Sequence, residues 1–146
     1  MKVLLVASAL LVGGSRYAHA QALSVTGTPA TMTISGAIAG SQPATLTNNS
    51  TTYTVSALLI LPKKVTAQIN TNMPAGVTLT VLLVPPSGAT SAGRVALDNI
   101  ARDVVSNITN LLPQTKTIEY QLSATVSAGV ISTSTRIVTL TLVNYP

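Results

Sequence analysis

The chain has 146 residues, eight Lys or Arg against three Asp or Glu, a single histidine, and no cysteine, phenylalanine or tryptophan. That inventory excludes a disulfide framework and thiolate chemistry, and the expected loss of the histidine with the leader also removes the usual N/S zinc, haem or iron–sulfur sites. The length suits one domain with a buried core.

The N-terminus reads as a Sec-type signal peptide over residues 1–20. Lys2 supplies a positive start, Val3–Val12 is an unbroken apolar or small run, and Gly13, Gly14 and Ser15 break it. Ala18-His19-Ala20 is a small-x-small site, so cleavage is expected between Ala20 and Gln21. The run is too short for a membrane span of about 20 residues; a buried N-terminal strand or core helix is the alternative. Arg16 alone makes no twin-arginine signal, and without cysteine no lipid can be attached. No second apolar span follows, so no transmembrane anchor is expected. The expected location is secreted, periplasmic or cell-surface.

Cleavage leaves residues 21–146 as the folded domain and removes Lys2, Arg16, the only histidine (His19) and Tyr17. Lys63, Lys64, Arg94, Arg102, Lys116 and Arg136 then stand against Asp98, Asp103 and Glu119, a net charge of +3 in place of +5. The high basicity reflects scarce acids rather than a basic patch.

In chain order, Met32, Ile34, Gly36 and Ile38 alternate with Thr31, Thr33 and Ser35, the period-two signature of a strand. Tyr53–Leu61 starts by alternating and becomes solidly apolar, as a strand covered on both sides would, or an edge that binds another chain. Lys63-Lys64 follow Pro62 in an expected exposed turn, where paired lysines guard an edge strand. Val65, Ala67, Ile69 and Met73, then Pro74-Ala75-Gly76, then Val77, Leu79, Val81 and Leu83 read as a hairpin. Pro85-Pro86-Ser87-Gly88 ends it.

Residues 98–112 carry Ile100, Val104, Ile108, Leu111 and Leu112 at helical spacing, with Asp98 as a cap and Pro113 as a stop. Their β-branched residues favour a strand, preceded by a short helical turn. Ile118 to Ala128 alternates strictly, with Ile118, Tyr120, Leu122, Ala124, Val126 and Ala128 inward. In Arg136–Val143 it is Val138, Leu140 and Leu142 that face in, and a hairpin through Gly129 and Ser132-Thr133-Ser134 is expected to join the two runs. The sum is all-β: a single antiparallel β-sandwich, Ig-like in the broad sense, of about seven to nine short strands. A small barrel is the lesser alternative, and an outer-membrane barrel lacks its aromatic girdles.

No catalytic residue, cofactor-binding residue or metal ligand is assigned, and no enzyme is expected. Asp98, Asp103 and Glu119 are the only carboxylates for paired acid–base work or calcium, and turn bonding accounts for the two aspartates better. Glycines match no phosphate loop, and scattered basic residues with isolated tyrosines do not fit nucleic acid. Thr-x-Thr pairs (Thr31/Thr33, Thr45/Thr47, Thr52/Thr54, Thr78/Thr80, Thr133/Thr135, Thr139/Thr141) suit an ordered polar face, although Thr is also the commonest polar residue on strands. Asn48-Asn49-Ser50-Thr51 and Asn107-Ile108-Thr109 match glycosylation acceptors.

A signal peptide followed by Thr-rich alternating strands without cysteine resembles bacterial secreted or surface β-sandwich domains of the adhesin and pilin-like kind. The resemblance implies a non-enzymatic structural or interaction protein, with protein partners or self-assembly. Leu23 to Ala39 is the segment to be donated to a neighbouring subunit's sheet edge. The alternative is a carbohydrate-binding module using Tyr53, Tyr120 or Tyr145, although Tyr120 falls on the inward face.

Overall fold

The computed structural model describes the backbone of residues 2–10, and residues 21–36, 38–57 and 61–146 in full. The chain is all-β. Its strands are β1 (Lys2–Leu10), β2 (Ala22–Thr26), β3 (Met32–Thr33), β4 (Leu46–Ser56), β5 (Lys63–Ile69), β6 (Val77–Leu83), β7 (Thr90–Ser91), β8 (Val95–Ala96), β9 (Arg102–Ile108), β10 (Gln114–Ala124) and β11 (Ser134–Asn144). A 3-10 turn, Val126–Ala128, follows β10.

Two sheets form. One is antiparallel throughout, in the order β2-β4-β10-β6-β8. The other has the antiparallel run β11-β5-β9-β7, extended by β1 and β3 to the order β3-β1-β11-β5-β9-β7. The period-two patterns decide which faces meet. Val77, Leu79, Val81 and Leu83 of β6 are buried, as are Ile118, Tyr120 and Leu122 of β10. From the other sheet come Val65, Ala67 and Ile69, Val104, Val105 and Ile108, and Val138, Leu140 and Leu142. All belong to one apolar cluster. With no cysteine to staple the chain, burial of each such side chain, about 1.5–3 kcal/mol, is what offsets the entropy of ordering it.

Neither expected hairpin forms. β5 lies in one sheet and β6 in the other, and β10 and β11 are likewise divided. Both connections cross between layers. Alternation specifies which face of a strand is apolar but not which neighbour it pairs with, so adjacent alternating runs look alike whether they pair or face each other across a core. The turn at Pro74-Ala75-Gly76 is present: Val77 N–H donates to the Pro74 carbonyl at 3.0 Å and Gly76 has φ +75°. Gly76 also abuts the turn after β10, its carbonyl accepting Thr125 N–H at 2.8 Å.

Other boundaries shift. The Tyr53–Leu61 strand is β4, which starts at Leu46 and ends at Ser56, with residues 58–60 outside the described ones. The 118–128 strand stops at Ala124, leaving Val126 exposed. Among the described residues of the 31–38 run only Met32–Thr33 is a strand, and Ile38 is 82% exposed. Arg102–Ile108 is the strand its β-branched residues predict. It is preceded by a bend rather than a helical turn, with the Asp98 carboxylate accepting Ile100 N–H at 2.9 Å.

Lys63-Lys64 are not an exposed edge guard. They open β5, an interior strand between β11 and β9. Lys63 is 6% exposed and its ammonium donates to Asn144 Oδ1, while Lys64 pairs with Asp103 at 3.0 Å. Long aliphatic stems allow a lysine to sit deep and keep its charge on a polar partner.

Candidate functional site

The feature that stands apart is the outer side of β11. Its even residues Arg136, Val138, Leu140 and Leu142 are buried. On one side it pairs antiparallel with β5, from Val138 opposite Ile69 to Asn144 opposite Lys63. That ladder is extended by Asn70, whose N–H donates to the Ile137 carbonyl at 3.1 Å and whose Oδ1 accepts Ile137 N–H at 2.9 Å. Arg136 reinforces this end, its guanidinium donating to the Asn72 carbonyl at 2.9 Å and to the Thr135 carbonyl at 3.0 Å.

These bonds set the polarity of the strand. The N–H and C=O of one residue point to the same side of a strand, and successive residues alternate. With Ile137 turned toward β5, the backbone groups of Arg136, Val138 and Leu140 turn the other way. There they meet β1, which runs parallel to β11 with Val3 level with Ser134 and Leu10 level with Thr141. This is the one parallel ladder among the described strands. On its far side, β1 meets β3, Lys2 level with Thr33 and Val3 with Met32. The run Val3–Leu10 thus lies along β11 for its whole length and meets β3 on the other side only at Val3. The sequence reads these same residues as the core of a leader; the remainder of that leader, residues 11–20 with the residue before the cleavage junction, lies outside the described residues.

β2 pairs within its own sheet, Ala22–Thr26 against Ser56–Thr52. It is the outermost strand there and also packs near β1 and β11. Of the proposed donor segment Leu23 to Ala39, therefore, the first part is paired at home, and Ala37 lies outside the described residues.

The titratable residues are distributed rather than gathered. Asp98 pairs with Arg102, Asp103 with Lys64 at 3.0 Å, and Glu119 with Arg94. Hydrogen bonding from Arg102, then from the Ile100 N–H, holds the Asp98 carboxyl below the usual aspartate range. Each carboxylate thus has its own cation, an arrangement suited to holding loops in place rather than to sharing a proton. Tyr53 and Tyr120 are both 0% exposed, and burial pushes both phenols well above the ordinary tyrosine range. Neither can stack on a sugar. Tyr145, 37% exposed, is the tyrosine left for that role.

Two further surfaces complete the picture. Across the outer face of the first sheet, Thr54 and Thr52 stand opposite Thr115 and Thr117, and the Thr54 and Thr115 hydroxyls bond at 2.7 Å. A groove of about 350 Å³ beside the Val126–Ala128 turn is lined by apolar residues including Ile34, Pro43, Val126 and Val130. No protein-family model matches the chain, and no curated protein matches it significantly.

Proposed function

We propose that this chain is an exported, Ig-like β-sandwich subunit with a non-enzymatic structural or interaction role at the cell surface, in the periplasm or outside the cell. Residues 1–20 are its signal peptide and residues 21–146 its working domain. The observation that carries the reading is the outer edge of β11, which takes an apolar strand from Val3–Leu10, with β3 closing its start at Lys2 and Val3. Once the leader is cut away, the backbone groups of Arg136, Val138 and Leu140 form an open sheet edge, a template for an added strand. The two cross-layer connections support an Ig-like arrangement. The loss of the only histidine with the leader, and the separate pairing of each carboxylate, favour a binding role over a catalytic one.

The carbohydrate-binding alternative retains Tyr145 alone among its aromatics, which weighs against it. The test is to sequence the N-terminus of the exported protein, fractionate the host, and titrate the exported protein with a solubly tagged peptide of Val3–Leu10. Gln21 as first residue, a surface or secreted fraction, and saturable peptide binding are expected wherever the edge is free. A retained N-terminus, or a free domain that ignores the peptide, refutes the proposal.

A further inference from the structure

We propose that the end of the sandwich carrying Leu61, Leu111 and Leu112 is a docking surface for an anionic lipid bilayer, on which the domain rests without spanning it. This surface is separate from the β11 edge and does not depend on whether that edge is free.

Strand polarity brings the leucines to one place. β4 ends beside the start of β10, with Val55 level with Gln114. β5 starts beside the ends of β9 and β11, with Lys63 level with Ile108 and Asn144. The link from β4 to β5 and the link from β9 to β10 therefore both cross between the sheets at the same end of the molecule. They are clipped together. Ala57 N–H donates to the Asn110 carbonyl at 2.8 Å, and the Asn110 carboxamide donates to the Val55 and Leu112 carbonyls, each at 2.9 Å. Tyr145 N–H adds a bond to the Pro62 carbonyl at 2.9 Å. Leu61, Leu111 and Leu112 each leave more than half of their surface exposed. Val84, which follows β6 at this end with its N–H on the Thr117 carbonyl, is exposed too.

Single exposed leucines are ordinary, but several gathered at one end mark an interaction surface. The charge at this end says what covers it. Lys63 and Lys64 open β5, and Lys116 is the third residue of β10. The sequence has three acidic side chains: Asp98 is held by Arg102, Glu119 by Arg94 and Asp103 by Lys64. Lys63 and Lys116 are left at this end without an acid. An anionic headgroup layer supplies that countercharge while the leucines enter below it. Apolar burial joined to electrostatic attraction is what holds a protein at a bilayer surface. The clip lowers the cost, because it occupies backbone groups that would otherwise be left unpaired on leaving water. Tyr145, partly exposed, brings an apolar ring and a polar hydroxyl to the same boundary.

The opposite end is not equivalent. Val126 and Val130 are exposed there, after the end of β10. Its cations are spoken for: Arg102 is on Asp98, and Arg136 is buried with its guanidinium on the Asn72 and Thr135 carbonyls. That end offers apolar side chains without uncompensated surface charge, and so supplies a control within the same molecule.

The experiment floats the exported protein, purified natively from its host, with vesicles of phosphatidylcholine alone and of phosphatidylcholine mixed with phosphatidylglycerol. Binding is expected to the mixed vesicles, and to be weaker with phosphatidylcholine alone and at high salt. The double variant Leu111→Asp/Leu112→Asp is expected to bind at least about tenfold more weakly, since burial of one leucine side chain is worth about that factor. Val126→Asp/Val130→Asp, the same change at the opposite end, is expected to bind as the wild type does. Lys116→Gln should weaken binding to the mixed vesicles only. A wild type that floats with neither vesicle, leucine variants that bind unchanged, or an equal loss in the valine variant overturns the proposal. Wild-type multimers that the leucine changes dissociate, with no vesicle binding, make this end a protein interface and overturn it as well. Should the leucine variant fail to fold, Tyr145→Trp carries the test in a chain with no other tryptophan. Its emission is expected to shift to the blue with the mixed vesicles and to be quenched by brominated acyl chains, and an unmoved emission overturns the proposal. The β11 edge is read by peptide binding, so the two readings fail separately.

Discussion

Tyr53 and Tyr120 offer one chemical change with two opposite outcomes. Both rings are fully buried in the same sheet, on the adjacent strands β4 and β10. The Tyr53 hydroxyl donates to the Val84 carbonyl at 2.7 Å, whereas the Tyr120 hydroxyl has no partner among the described residues. Tyr53→Phe removes a made hydrogen bond and is expected to cost about 0.5–1.5 kcal/mol. Tyr120→Phe removes an oxygen whose desolvation costs roughly 1–3 kcal/mol without return, so the variant is expected to be neutral or up to about 1 kcal/mol more stable. The two variants should therefore differ by about 1–2 kcal/mol, several degrees in Tm for a chain of this size. Urea unfolding followed by far-ultraviolet circular dichroism measures both, with an unchanged m-value confirming that the denatured state is the same. A Tyr120→Phe variant destabilised as much as Tyr53→Phe would refute the reasoning, because it would show that the Tyr120 hydroxyl is held by a partner.

The glycine turns and the alkaline limb provide two more checks. Gly76→Ala should destabilise by about 2 kcal/mol or more and Gly88→Ala by about 1 kcal/mol: both have positive φ, but a Cβ at Gly76 would lie 2.8 Å from Ala128 Cβ and Thr125 Oγ1, whereas one at Gly88 meets nothing within 4 Å. Thermal melts rank the pair, and equal losses would mean that backbone strain alone matters at Gly76. Burial raises the Tyr53 and Tyr120 phenols, so the unfolded chain releases those protons first; their contribution is complete below the ordinary tyrosine pKa near 10 and is lost progressively as pH rises above it. Urea midpoints taken from pH 8 to pH 12 should fall on that limb, and the Tyr53→Phe/Tyr120→Phe double variant should flatten it; an unchanged slope would place the alkaline sensitivity elsewhere.

Much of this molecule is legible in one dimension. Alternating apolar residues at Val77–Leu83 and Val138–Leu142 determine strands with one buried face, because the pleat repeats every two residues. Pro74-Ala75-Gly76 determines its turn through the fixed φ of proline and the positive φ open to glycine. β-branched Val104, Val105 and Ile108 favour a strand over the helix that their spacing suggests. Of the candidate site, the strand Arg136–Val143 and its inward face were readable.

Tertiary structure decided the rest. Which strand pairs with which was not encoded in alternation: β5 and β6, and β10 and β11, are neighbours in sequence yet pack across the core from one another. Burial of Lys63 and Arg136 follows from partners distant in sequence, Asn144 and the Asn72 carbonyl, that no local pattern reveals. The outer edge of β11 is the clearest case. An apolar run behind a single lysine has the same sequence whether it addresses the chain for export or lies against a sheet edge. Only the three-dimensional arrangement of β3 and β11 shows that the edge has room for a strand, because a missing neighbour is a property of paired backbones rather than of side chains.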